Sequence, residues 1–174
     1  ILPATPKEDA FRRDLTINSL FYNISNGNIE DFTGLGFKDL ENKTIRTPEA
    51  PFKTFKDDPL RIFRTIRFVA RYNGEVDPQT LIAMKDPRLQ AEIQRKLSKE
   101  RIEVELSKIL KGPNPVLALR LLKDTGILGS IMEEATKGTE FEGQLAPFDM
   151  DQNSPHHELS VWDHTIKVVE NILD

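Results

Sequence analysis

The sequence of 174 residues contains no cysteine, which excludes disulfides, thiolate metal sites and cysteine nucleophiles. It also lacks any apolar run near the roughly 18 residues that a membrane-spanning helix requires, so we expect no membrane segment. Neither a P-loop nor the serine turn of α/β-hydrolases occurs, which excludes two common routes to catalysis. The absence of cysteine fits a reducing compartment. We expect an intracellular protein, with cytoplasm, mitochondrion and nucleus left open.

Charge is unevenly distributed along the chain. The net charge of −4 argues against nucleic-acid binding over the whole surface. Residues 53–71, however, carry six lysines and arginines against two aspartates, a local balance of +4. This segment therefore predicts one basic face that can attract a polyanion.

The first third of the chain has mixed local signals. Apolar residues from Ile17 to Ile24 recur at i, i+3, i+4 and i+7, which predicts a helix. The elements expected after it are a turn at 25–28, a strand at 29–32 and a second strand at 44–46, within a loop-rich stretch. We expect a domain boundary at the proline-bounded residues 47–51 and no strand beyond it.

The remainder predicts helices separated by caps, glycines and prolines. Asp58–Pro59 marks the start of one helix, and Gly129–Ser130 is interpreted as a turn that ends another. The predicted helices cover about 59–72, 78–85, 87–96, 99–110, 115–126 and 158–174, with a polar loop over 137–158.

The most informative of these helices carries a ladder of arginines. Arg61, Arg64 and Arg67 recur every three residues and so step back by about 60° around the helix. Asp58 begins the same spiral and Arg71 lies near its other end, while most of the complementary arc is apolar. One interpretation is an ordinary solvated face. The alternative interpretation is a surface that recognises phosphates and base edges. The four arginines, with no lysine among them, favour this alternative, because a guanidinium group can form paired hydrogen bonds to such groups.

Four stretches in order resemble the tRNA nucleotidyltransferase (CCA-adding enzyme) and poly(A) polymerase family, in its bacterial and eukaryotic branch. "RRDLTINSLFYN" is similar to the R-R-D motif, and "DDPLRIFRTIRF" is similar to the E-D-x-x-R motif that reads the incoming nucleotide. "DFTGLGFKDLENKTIRTP" resembles the glycine-rich connector between head and neck, and "SKERIEVELSKIL" the neck helix that braces the reader. Asp57 replaces the usual glutamate, as we expect for eukaryotic members.

The resemblance implies a mostly α fold with an α+β remnant at the N-terminus. Residues 1–50 would be the C-terminal part of a nucleotidyltransferase head, 51–136 a helical neck, and 137–174 a loop and the start of a helical body. The family holds Mg²⁺ on a D-x-D pair that precedes the R-R-D motif, and no such pair lies upstream of Arg12. We therefore expect Mg²⁺ to bind a missing N-terminal catalytic segment, and this piece to be inactive by itself.

The resemblance also assigns roles to eight residues, toward the substrates CTP and ATP and the 3′ end of tRNA. Arg12 and Arg13 would bind the triphosphate. Asp14 would bind the ribose, and Asn18 would add a polar contact. No residue of this set would be catalytic or bind metal.

The base itself would be read by Asp58 and Arg61, with Arg64 and Arg67 supporting them or contacting phosphates. A carboxylate only accepts hydrogen bonds and a guanidinium only donates them. Cytosine and adenine both offer an amino donor beside a ring acceptor, whereas guanine and uracil place a carbonyl where the amine would be. Since an unpaired buried polar group costs about 1–3 kcal/mol, one such pair can accept C and A and reject G and U.

Two other functions share part of this pattern. A poly(A)-adding relative has the same motifs, and a noncatalytic helical RNA-binding module would need only the arginine face.

Asp149–Asp151 satisfies D-x-D but follows the neck in a polar loop, so we do not interpret it as a metal site. His156, His157 and His164, with Asp163, are a candidate metal cluster, although a surface loop followed by a helix-borne histidine explains them as well. The stretch "VWDHTIKVV" resembles the opening helix of His-Asp phosphohydrolase domains, but no later His-Asp pair exists to complete that site.

Overall fold

The computed structural model describes residues 4–140 and 159–173. The helices within them are α1 (Pro6–Phe11), α2 (Gly36–Glu41), α3 (Pro51–Asp57), α4 (Leu60–Tyr72), α5 (Pro78–Met84), α6 (Pro87–Lys96), α7 (Lys99–Leu110), α8 (Pro115–Asp124), α9 (Ile127–Thr136) and α10 (Val161–Leu173). The strands are β1 (Leu20–Tyr22), β2 (Ile29–Asp31), β3 (Thr44–Ile45) and β4 (Glu75–Val76). The expected fold class, mostly helical with an α+β N-terminal part, is confirmed.

Side-chain caps begin helices α5, α7 and α8, whereas α4 itself starts after Pro59 and not directly after Asp58 as expected. Asp77, Ser98 and Asn114 each accept a hydrogen bond from a backbone N–H in the first turn of α5, α7 and α8. Proline occupies the first turn of α5 and α8, where its missing N–H leaves no intrahelical bond unmade. The starts of these helices are therefore local properties of the sequence.

Helix α4 lies at the centre of the helical part and packs against α7 and α8. Its fully buried side chains include Ile62, Phe63 and Ile66, which join the main hydrophobic core. Each contributes about 1.5–3 kcal/mol through burial. Since this arc of α4 is packed inward, its arginines are held on the opposite arc, facing the N-terminal segment and α7.

The helix predicted from Ile17 to Ile24 is wrong. Residues Thr16–Asn18 form a single 3₁₀ turn, and β1 follows, paired antiparallel with β2 so that Leu20 faces Asp31. The Ser19 hydroxyl donates to the carbonyls of Ala10 and Leu15, which favours a turn over a continuing helix. A short apolar run has no periodicity strong enough to outweigh these contacts.

Other local predictions also need correction, since α1 and α9 lie outside the predicted helices. Helix α2 lies in the stretch expected to be loop, and α3 was not anticipated. Residues Gly129 and Ser130 lie inside α9 and do not end a helix. Beyond the expected boundary a strand does occur, because β4 pairs in parallel with β3. The pairing joins the N-terminal part to the chain that follows α4, and the domain limits at 50 and 136 stay predictions.

The backbone just after α4 passes very close to the residue that precedes β3, and this approach allows β3 and β4 to pair. Asn73 adopts the left-handed conformation with φ 49°, and Gly74 then passes so near Lys43 that an added Cβ would lie 2.2 Å from its carbonyl oxygen. Only glycine permits that approach.

Across residues 4–140 and 159–173, no helix is both long enough and apolar enough to cross a membrane. His164 lies in α10, while His156, His157 and the acidic pair of residues 149–151 lie outside the described residues.

Candidate nucleotide-binding site

A cavity of about 650 Å³ lies where the N-terminal segment meets the start of α4. Seven of the eight predicted nucleotide-binding residues line it: Arg12, Arg13, Asp14, Asn18, Asp58, Arg61 and Arg64. They come from two segments about 45 residues apart, so only the packing of α4 against the N-terminal segment assembles them. The eighth, Arg67, does not line this cavity.

Asp58 and Arg61 both face this cavity from the beginning of α4. The Asp58 carboxylate accepts from the backbone N–H of Leu60 at 3.2 Å, which fixes its position at the helix start. It also accepts from Nη2 of Arg101 on α7 at 3.3 and 3.4 Å. Nη2 of Arg61 donates to the carbonyl of Arg12 at 2.6 Å. The two side chains thus share one cavity while contacting other partners.

Asp14 ties the N-terminal segment to α4. One of its carboxylate oxygens accepts from Nε of Arg64 at 2.6 Å. The other accepts from the backbone N–H of Leu15 at 3.0 Å and from Nδ2 of Asn18 at 3.2 Å. Because Asp14 is only 7% exposed, these contacts anchor a largely buried charge.

Arg12 and Arg13 share the carboxylate of Asp9. Nε of Arg12 donates to Oδ1 at 2.7 Å, while Nε and Nη2 of Arg13 donate to Oδ2 at 3.1 and 3.0 Å. Hydrogen bonds from Arg12, and then from Arg13, hold the pKa of Asp9 below its ordinary value. The carboxylate is therefore ionised at neutral pH and keeps both guanidinium groups at the cavity.

Arg67 belongs to a different cluster, between α4 and α7. Its Nε donates to Glu105 at 2.8 Å, and Nζ of Lys108 donates to the other oxygen of the same carboxylate at 2.9 Å. Burial raises the pKa of Glu105, but the hydrogen bonds from Lys108 and Arg67 together lower it below its ordinary value. The position of Arg67 fits a supporting role for α4, because it pairs with Glu105 and does not line the cavity.

The lining of the cavity is basic overall, and each of its aspartates forms an ion pair with an arginine. Five arginines and three aspartates line it, for a net charge of +2. Each of Asp9, Asp14 and Asp58 contacts at least one guanidinium. In the described part of the chain no group of three acidic or histidine side chains is arranged to hold a metal ion. These aspartates therefore fit an anionic ligand site better than a Mg²⁺ site.

Two residues that line the cavity, Asp9 and Arg101, are not identified as site residues by the sequence motifs. Asp9 lies one helical turn before Arg13, a spacing that signals an ion pair. Arg101 lies 43 residues from its partner Asp58, inside the stretch that resembles the neck helix. No local pattern indicates that contact.

Two family models match the chain on either side of α4. The model described as "Poly A polymerase head domain" matches residues 2–46. The one described as "Probable RNA and SrmB- binding site of polymerase A" matches residues 75–138. The arginine-bearing helix lies between the two matches.

Curated proteins match more of the chain. It is 50% identical over 119 residues to the mitochondrial CCA tRNA nucleotidyltransferase of Saccharomyces cerevisiae, covering 68% of this chain and 22% of that protein. It is 42% identical over 142 residues to the tRNA nucleotidyltransferase cca2 of Schizosaccharomyces pombe, covering 82% and 29%. The chain thus spans about a quarter of the length of these relatives.

Solved structures agree. The CCA-adding enzyme of Bacillus stearothermophilus in complex with CTP matches with a TM-score of 0.65 at 32% identity, over 72% of this chain and 31% of that one. A CCA-adding enzyme in complex with ATP matches with the same TM-score at 31% identity, over 71% and 29%. The segment that matches the head-domain model, the helices that follow it and the agreement with these structures define a nucleotidyltransferase-type fold. The chain belongs to the tRNA nucleotidyltransferase and poly(A) polymerase family.

Proposed function

We propose that this chain is the nucleotide-selecting part of a template-independent nucleotidyltransferase that adds C and A to tRNA 3′ ends. The observation that carries the proposal is the assembly of seven predicted residues around one cavity. Its volume of about 650 Å³ lies within the range of roughly 300–1,000 Å³ typical of small-molecule sites. Names of relatives that include CCA addition, and matched structures holding CTP or ATP, support the same substrates.

In this proposal Asp58 and Arg61 read the base. The Asp58 carboxylate accepts from the exocyclic amine of cytosine or adenine, and Arg61 donates to the neighbouring ring acceptor. Their present partners, Arg101 and the Arg12 carbonyl, exchange for the base when a nucleotide enters. Both contacts involve exposed groups, so the exchange costs little.

The basic residues take the triphosphate. Arginine forks match phosphate oxygens. They also neutralise charge that develops when the tRNA 3′ hydroxyl, losing its proton, attacks the α-phosphate in line and the bond to the β-phosphate breaks to release pyrophosphate. Asp14, with both oxygens occupied, contributes by fixing Arg64 and Asn18, and a ribose hydroxyl can add a further hydrogen bond to it. Mg²⁺ chemistry belongs to the family, but the described carboxylates do not fit it, so no step here involves them as metal ligands.

Nucleotide selection tests the proposal directly. We expect Asp58→Ala in the full-length protein to reduce the preference for CTP and ATP over UTP and GTP by about tenfold, the effect of one lost hydrogen bond to a charged group. The assay is single-nucleotide incorporation on tRNAs that lack the terminal CCA. Asp124→Ala is the control, because Asp124 is an exposed aspartate at the end of α8 and does not line this cavity. An unchanged preference in Asp58→Ala would refute the assigned reader.

The match to a poly(A) polymerase head favours a second candidate, a poly(A)-adding enzyme. That enzyme would extend RNA with ATP alone and would not incorporate C on truncated tRNA. A noncatalytic RNA-binding module would instead bind RNA equally well with or without the Asp58 carboxylate.

The intracellular location stays a prediction, and the Saccharomyces cerevisiae relative is a mitochondrial protein by name.

A further inference from the structure

Arg12 and Arg13 are neighbours in sequence but differ in how they are held. The Arg13 side chain is 39% exposed and that of Arg12 is 70% exposed. The Arg13 guanidinium uses Nε and Nη2 on Asp9, and its Nη1 donates to the carbonyl of Asn18 at 2.7 Å. Its Cζ also lies over the Phe21 ring, 4.4 Å from the ring centroid. Both edges and one face of this guanidinium are therefore occupied by the protein.

Arg12 has far fewer constraints. Among the described residues, Oδ1 of Asp9 is the partner of its guanidinium. Its side chain borders both the 650 Å³ cavity and an adjacent one of about 540 Å³. An exposed arginine with one ion pair exchanges that pair at low cost, whereas Arg13 would have to give up three sets of contacts.

We propose that the two arginines divide the work of triphosphate binding. Arg12 is the phosphate ligand and leaves Asp9 when a nucleotide enters. Asp9 and Arg13 stay together as a positioning pair, which fixes the cavity wall and the Asn18 turn. This inference rests on the proposed function, because it describes the phosphate end of the same site.

The backbone supports this division. Helix α1 is held by a reciprocal capping box, in which Thr5 accepts from the Glu8 N–H and Glu8 accepts from the Thr5 N–H. That box fixes the start of α1, and Asp9 lies on its last turn. Asp9 is fixed on α1, and Arg13 is fixed on Asn18 and Phe21, so Arg12 is the arginine of this pair that can reorient.

Nucleotide binding by the full-length protein tests this, with CTP and ATP titrated at low and high salt. We expect Arg12→Gln to raise the Kd of both nucleotides equally, by about tenfold at low salt, with a smaller effect at high salt. Arg13→Gln should also weaken binding, with a salt dependence closer to that of the unaltered protein. Glu8→Gln is the control, since glutamine preserves the capping box while removing a neighbouring charge.

Combination with Asp9→Asn separates the two roles. If Asp9 acts through Arg13, Asp9→Asn adds no further loss to Arg13→Gln but does add one to Arg12→Gln. Equal salt dependence in both single variants, or a further loss in the Asp9→Asn/Arg13→Gln double variant, would overturn the division. An unaltered protein that binds neither nucleotide would instead refute the proposed function itself.

Discussion

The buried carboxylate of Glu105 offers the sharpest test of how α4 is held. Its side chain is 4% exposed, and it pairs with Arg67, which is 16% exposed, and with Lys108, which is 53% exposed. Glu105→Gln keeps the size but removes the charge, so the largely buried guanidinium of Arg67 loses its counterion. Breaking a buried pair in this way costs about 3–5 kcal/mol, and the remaining amide oxygen offsets part of it. We expect a loss of about 2–4 kcal/mol.

The same group gives a dependence of stability on pH. Because the pKa of Glu105 is lower in the folded protein than its ordinary value near 4.5, its contribution is present above that value. The contribution is lost as the pH falls through the lower, folded pKa. The unaltered protein should therefore lose more stability than Glu105→Gln as the pH falls below about 4.5.

Urea unfolding at pH 7 and at acidic pH measures both effects. Glu103→Gln, an exposed change on the same helix, should shift the free energy of unfolding by no more than about 0.5 kcal/mol. Lys108→Ala removes only the exposed partner and should cost about 1 kcal/mol or less. If Glu105→Gln behaves like Glu103→Gln, the ion pair does not stabilise α4 and the reasoning fails.

Two further changes probe the junction between the N-terminal segment and α4. Asp14→Asn should lower the free energy of unfolding by about 1–3 kcal/mol, because Arg64 loses a charged acceptor. The control is Asp124→Asn, a change at an exposed aspartate. A loss for Asp14→Asn no larger than that of this control would contradict the anchoring role of Asp14. Gly74→Ala should destabilise the protein by about 1–3 kcal/mol, because its Cβ would overlap the Lys43 carbonyl. At Gly129, within α9, an added Cβ would meet no neighbouring atom, so Gly129→Ala should stabilise the protein by about 0.5–1 kcal/mol. The melting temperatures of the two glycine variants should therefore shift in opposite directions.

Local chemistry determined where helices α5, α7 and α8 begin. Asp77, Ser98 and Asn114 cap their helices through backbone groups three residues away, and proline at the first turn acts equally locally. Such signals work whatever the rest of the chain does. The spacing of Arg61, Arg64 and Arg67 placed all three on the arc of α4 away from Ile62 and Ile66, as the structure shows.

The N-terminal segment was less predictable. The run from Ile17 to Ile24 fits a helix by spacing, yet strand pairing with β2 and the hydroxyl of Ser19 decide its conformation. Two-residue strands such as β3 and β4 carry almost no pattern of their own. They form because Gly74 lets the chain pass next to Lys43.

The sequence by itself determined which residue types are available for a nucleotide site, because a motif is a local order of side chains. Only the tertiary structure decided which of them meet. Arg64 joins Asp14 across 50 residues and Arg101 reaches Asp58 across 43, while Arg67, on the same ladder, turns to Glu105. The physical reason is that a helix spiral points each arginine in a different direction, and what it contacts depends on which element packs there.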